Sequence, residues 1–239
     1  NSLEKLKIES AIPMPKIQSK PRVSNWRVPL FLFLFGLVNI AFGTIQLTTI
    51  AAGPAADGSI SEMTSPQYLI TPLPVVAHIV CGIFFNIMAP LQFIPGFRKR
   101  APQFHRWSGR LLFIAGLGAA GTGMYMNQYF PAFGTGWKYA AVLIFSFGMM
   151  ASLILGLRAI LKRDVKCHNE WMMRAVMIGL GPATQRLLIL PIYFATGEMS
   201  ILMIEIGVWA GFLINVGIGE LILRSHYKPR KALRHAPAE

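Results

Sequence analysis

Apolar residues run through this chain in long blocks, broken by short links rich in Pro, Gly and basic residues. A helix needs about 20 apolar residues to cross a hydrocarbon layer about 30 Å thick, because each residue rises about 1.5 Å. Six stretches meet that length: 28–50, 71–95, 107–127, 137–161, 171–195 and 201–223. Backbone polar groups in lipid must bond within the chain, so helices are the expected form. A membrane barrel would instead show alternating segments of about 10 residues, and no such alternation is present. The pattern predicts an all-α, polytopic membrane helix bundle with six transmembrane helices. It divides the chain into a basic N-terminal segment (1–27), one membrane domain (28–223) and a basic tail (224–239). No internal repeat stands out.

Composition strengthens this reading. Hydrophobic residues make up 54% of the chain and charged residues 14%, whereas a soluble domain carries roughly a quarter charged. The net charge of +13 raises the question of nucleic acid, but its distribution answers it. Of the 23 Lys and Arg, 21 fall in the N-terminal segment, the two links after spans two and four with the adjoining helix starts, and the tail. The opposite loops hold Asp57, Glu62 and Glu198. Basic residues in short loops stay cytoplasmic, so both termini and these two links are expected on that side. The predicted partners are the bilayer and its anionic headgroups, with no nucleic acid. The first 25 residues lack the apolar core of a cleavable signal peptide. Cys81 and Cys167 fall at different depths and are read as free thiols. The loop 51–66 is the longest outside link.

Candidate chemistry comes from polar groups inside the spans, because an ionisable side chain there is expensive and tends to face protein or water. His78 lies in span two. It is either a buried imidazole bonded to a carbonyl or water, or a ligand and proton carrier. Arg186 is the least expected residue, because a guanidinium that cannot lose its proton sits well inside span five. Glu205 in span six is the expected partner, with Gln185, Gln46 and His78 at similar depth. The alternatives for Arg186 are a structural bridge to Glu205 and an anion site. Arg174 is expected to pair with Glu170 one turn away, and Pro182 to kink the helix. His105 and His168 open two helices at matching depth. They are either an axial pair for a b-type haem, which would make both metal ligands, or part of the interfacial belt with Trp107 and Trp171. Small residues at Gly109, Gly116, Ala120 and Gly123 allow close helix approach. The chain has no Walker loop, dinucleotide fingerprint, Cys-x-x-Cys or Gly-x-Ser-x-Gly elbow, and no enzymatic reaction is assigned.

The order His78…Gln92-Phe…Arg98…Arg100-x-Pro102-x-x-His105-Arg106-x-x-Gly109-Arg110, then His168-x-x-Trp171-Met-x-Arg174, resembles a bacterial predicted-membrane-protein family called domain of unknown function 2306. The resemblance covers residues 74–193 and implies a multi-helix membrane fold without an established activity. It implies a bacterial cytoplasmic (inner) membrane location and functional roles for His78, His105, Arg106, Arg110, His168, Trp171, Arg174 and Arg186. Three functions compete. The first is a His/Arg site for a cofactor such as haem b or a quinone, or for a small anionic or amphiphilic ligand. The second is an accessory subunit of a membrane complex, and the third is a small-solute transporter.

Overall fold

The computed structural model describes residues 26–54, 65–130 and 136–227. The N-terminal basic segment up to Asn25, most of the loop 51–66 with Asp57 and Glu62, and the tail from Lys228 lie outside the described residues. The described residues are helical with short turns: α1 (Arg27–Ala52), α2 (Pro66–Ile70), α3 (Pro72–Phe93), α4 (Phe97–Arg100), α5 (Pro102–Tyr129), α6 (Gly136–Leu161), α7 (Val165–Gly179), α8 (Gly181–Thr196) and α9 (Ile201–Tyr227).

Local sequence explains where the helices start and stop. Pro66, Pro72, Pro102 and Pro182 stand in the first turns of α2, α3, α5 and α8, where a missing N–H removes no helix bond. The link into α4 turns at Gly96 and α8 ends at Gly197, both left-handed, a conformation glycine adopts without a Cβ penalty. Asp164 caps α7 by accepting from the Cys167 N–H at 2.9 Å. Span five is divided at Leu180 into α7 and α8. Pro182 has no N–H for the Ile178 carbonyl, so a straight continuation is not available.

The helices pack in a ring, with α1 against α3, α3 against α5, α5 against α6, α6 against α7 and α9, and α8 between α9 and α1. The two halves of span five share α9 as a neighbour, but α7 adds α6 and α8 adds α1. The Phe85 ring plugs the centre, where Gly116 and Gly179 leave room for it. A Cβ would lie 2.9 Å from the ring at Gly116 and 2.6 Å at Gly179. The outer surface is also apolar: Leu34, Ile114, Phe147, Leu213 and Leu221 are exposed. Exposing such a side chain to water forgoes about 1.5–3 kcal/mol, and lipid removes that penalty.

Among the described residues, five stretches are long and apolar enough to cross a membrane: α1, α3, α6, the α7–α8 pair and α9. The sixth expected span, 107–127, lies in α5, a 28-residue helix outside those five. Its five glycines and the Asn127–Gln128 pair lower its apolar content.

Candidate functional site

A chamber of about 150 Å³ lies at the centre of the ring, with walls from α1, α3, α5, α6, α7, α8 and α9. Its polar groups are Asn39, His78, Asn86, Ser146 and Arg186, and Phe85, Phe145 and Phe212 are among its apolar walls. Its volume matches that of a cavity that holds benzene.

Asn39 organises the chamber. Its Nδ2 donates to the Gly179 carbonyl (3.2 Å) and to Asn86 Oδ1 (3.3 Å), and its Oδ1 accepts from Arg186 Nη1 (3.1 Å). Asn86 in turn donates to the Gly82 carbonyl at 2.7 Å. The Gly179 carbonyl is available because the helix breaks there, so the kink and the polar network are one feature. Arg186 Nη1 also donates to the Pro182 carbonyl (3.1 Å), and the guanidinium lies 5.2 Å from the Phe42 ring centroid. All these partners are neutral. Glu170 bridges to Lys166 and Glu220 to Arg174, and neither bridges to Arg186.

The expected Arg186–Glu205 bridge is therefore corrected. Glu205 is buried in the first turns of α9 and interacts electrostatically with Lys138 at the start of α6. Residues 186 and 205 share a depth in sequence, but they face different parts of the bundle. Gln185 is also turned away, packing against the Gly207–Gly211 face of α9. His78 does reach the chamber. Its Nδ1 is 2.9 Å from the Ala119 carbonyl and 3.2 Å from Thr122 Oγ1. A carbonyl only accepts, so Nδ1 carries a proton, and in the neutral form of the ring Nε2 is left as an acceptor. Tyr68 on α2 interacts electrostatically with Arg186. Burial pushes its phenol up, with Arg186 partly offsetting the rise.

The remaining expected site residues separate into two other groups. Trp171 and Arg174 line a second cavity between α6, α7 and α9. Arg174 bonds Glu220 through Nε (2.6 Å) and Nη2 (3.3 Å) and stacks 4.8 Å above the Trp171 ring. This corrects the Arg174–Glu170 pairing: a forked carboxylate on α9 outcompetes the neighbour on the same helix, and Glu170 meets Lys166 at 4.0 Å. His105, Arg106, Arg110 and His168 lie at the basic end of the bundle. Arg106 and Arg110 are exposed, with Arg110 over Trp107 at 5.2 Å. His168 Nδ1 donates to the Gly156 carbonyl at 2.8 Å, tying α7 to α6. His105 stands edge-on to Phe97, with its Nδ1 buried and unpartnered. Burial, then Arg98, then His168 hold its imidazole below the usual range. The two histidines are near enough to interact, but neither lines either cavity described here. Among the described residues, no three His, Cys, Asp or Glu side chains form a metal-holding group.

The family model described as "Predicted membrane protein (DUF2306)" matches residues 75–223. The chain belongs to this family. The DUF2306 match includes His78, Arg174 and Arg186 but stops short of α1, which supplies Asn39. No curated protein and no solved structure matches this DUF2306 chain. Sequence reasoning missed Asn39 and Asn86. Two Asn inside apolar runs, at 39 and 86, were the available signal, since a carboxamide in lipid needs partners as a charge does.

Proposed function

We propose that this protein crosses the bacterial inner membrane six times, with α5 as the third span and both termini cytoplasmic. We propose further that it binds a small anion, or the anionic head of an amphiphile, in the central chamber. One observation carries the reading: the half-buried Arg186 guanidinium lines a benzene-sized chamber and, among the described residues, bonds neutral acceptors only. A permanent cation in a low-dielectric site favours an anionic occupant. His78 Nε2 accepts a hydrogen bond from a protonated or hydroxyl-bearing ligand. The basic links support the orientation, and the position of α5 between α3 and α6 supports the sixth crossing.

Benzoate is a suitable probe, because its ring matches the chamber and its carboxylate matches Arg186. Thermal stabilisation of the purified protein by benzoate is expected to be saturable and to weaken at least tenfold, about 1.4 kcal/mol, in Arg186→Gln. Equal binding by both proteins, or no binding by the native chain, would overturn the proposal. A second reading, passage of the same anion across the membrane, is favoured by the break in span five beside the chamber, an arrangement transporters use. Benzoate flux into proteoliposomes separates passage from binding alone.

A further inference from the structure

The second cavity has a different character from the chamber. It measures about 260 Å³ and lies between α6, α7 and α9. Gly148, Ala151 and Gly219 give it room among Leu, Val, Met and Ile side chains. The one hydroxyl in its lining, Ser152, donates back to the Gly148 carbonyl at 2.7 Å and is spent within its own helix. An apolar cavity of this kind stays dry and takes hydrocarbon. Ala151 is exposed, and Ile154 on α6 and Leu213 on α9 are exposed nearby on the same helices. The cavity therefore opens on the surface that lipid covers.

Its rim is charged. Trp171, Arg174 and Glu220 line it towards the basic end. The Arg174–Glu220 pair cancels its own charge. Arg224 lies one turn beyond Glu220 and acts on it electrostatically. Arg158 is three residues beyond the lining residue Leu155, and both Arg158 and Arg224 are exposed. The rim thus carries a surplus of positive charge above an apolar slot.

We propose that this cavity seats one acyl chain of a bilayer phospholipid with an anionic headgroup, held at the rim by Arg224 and Arg158. An acyl chain fits the dry interior, and an anionic head fits the surplus of guanidinium at the edge. A zwitterionic lipid satisfies only the first condition. A helix from a second copy would cover the mouth without filling the slot.

Native mass spectrometry of the full chain in mild detergent tests this, with equal amounts of phosphatidylglycerol and phosphatidylcholine supplied. The native protein is expected to hold one lipid, with phosphatidylglycerol favoured by about fivefold or more, the attraction of one basic residue near a surface. Ala151→Phe, which fills the mouth, is expected to lose the adduct at least about tenfold with an unchanged melting temperature. Arg224→Gln keeps a lipid, but its preference falls towards parity, and this variant decides the matter should Ala151→Phe not fold. An adduct that survives Ala151→Phe in folded protein, equal retention of both lipids by the native chain, or a chain dimer that Ala151→Phe dissociates would each overturn the proposal. The benzoate measurement is independent of all three.

Discussion

Removal of Arg186 distinguishes a functional cation from a structural one. In Arg186→Leu, two hydrogen bonds disappear, to Asn39 Oδ1 and to the Pro182 carbonyl. Interhelical polar contacts in membrane bundles are worth about 0.6 kcal/mol on average and up to about 1.7, so the loss is about 1–3 kcal/mol. Water in the chamber takes over the two freed acceptors. Against the loss stands relief from holding a guanidinium at the middle of a span, about 2.5–3.5 kcal/mol. The balance falls between about 0.5 kcal/mol less stable and about 2.5 kcal/mol more stable. A salt-bridged structural arginine behaves differently, because its removal strands a buried carboxylate and costs about 3–5 kcal/mol. Reversible unfolding in mixed micelles reads the difference. A double-mutant cycle sharpens it: Arg186→Leu with Glu205→Gln is expected to be additive within about 0.5 kcal/mol, and Arg186→Leu with Asn39→Ala to couple more strongly. A destabilisation of about 3 kcal/mol or more, or strong coupling to Glu205, would refute the reasoning.

Two further outcomes follow from the packing and the basic end. His105 is held neutral by burial, Arg98 and His168, so protonation favours the unfolded chain. Its contribution is fully present above the unfolded value of about 6.5 and is lost as pH falls below it. His105→Gln should therefore flatten the acid side of the stability profile relative to the native protein, as read by thermal unfolding from neutral to acidic pH. At Gly211, an added Cβ would lie 2.6 Å from the Gly181 carbonyl oxygen and 2.9 Å from the Gln185 nitrogen. Backbone cannot step aside cheaply, so Gly211→Ala should cost about 1–3 kcal/mol in the same unfolding assay. Gly217→Ala, with open space around it, should stay within about 0.5 kcal/mol apart from its helix-propensity gain.

Helix positions were legible in the chain because length and apolar content are local properties. The expected span 137–161 differs by one residue from α6, Gly136–Leu161, and span 201–223 lies wholly inside α9. The kink at Pro182 was legible for the same reason, since a missing N–H acts within one turn. Side-chain partnerships were not. Arg174 passes over Glu170 for Glu220 on another helix, and Arg186 finds Asn39, 147 residues away in the chain. Depth can be read from a sequence, but the angular position of a residue around its helix depends on which helices become neighbours. His78 and Arg186 were found because ionisable groups inside spans attract scrutiny. Asn39 and Asn86 bear no charge and were passed over, although their carboxamides hold the chamber together.

The origin of Asn39 in α1 bears on what counts as the folding unit. The family match begins at residue 75, after α1 has ended. Yet α1 closes the ring between α3 and α8 and brings the oxygen that receives Arg186. A fragment cut at the family boundary would leave a guanidinium looking through an open seam into hydrocarbon. Such a truncated protein should insert poorly or recruit a substitute helix, so the smallest autonomous piece of this molecule is larger than the portion the family match covers.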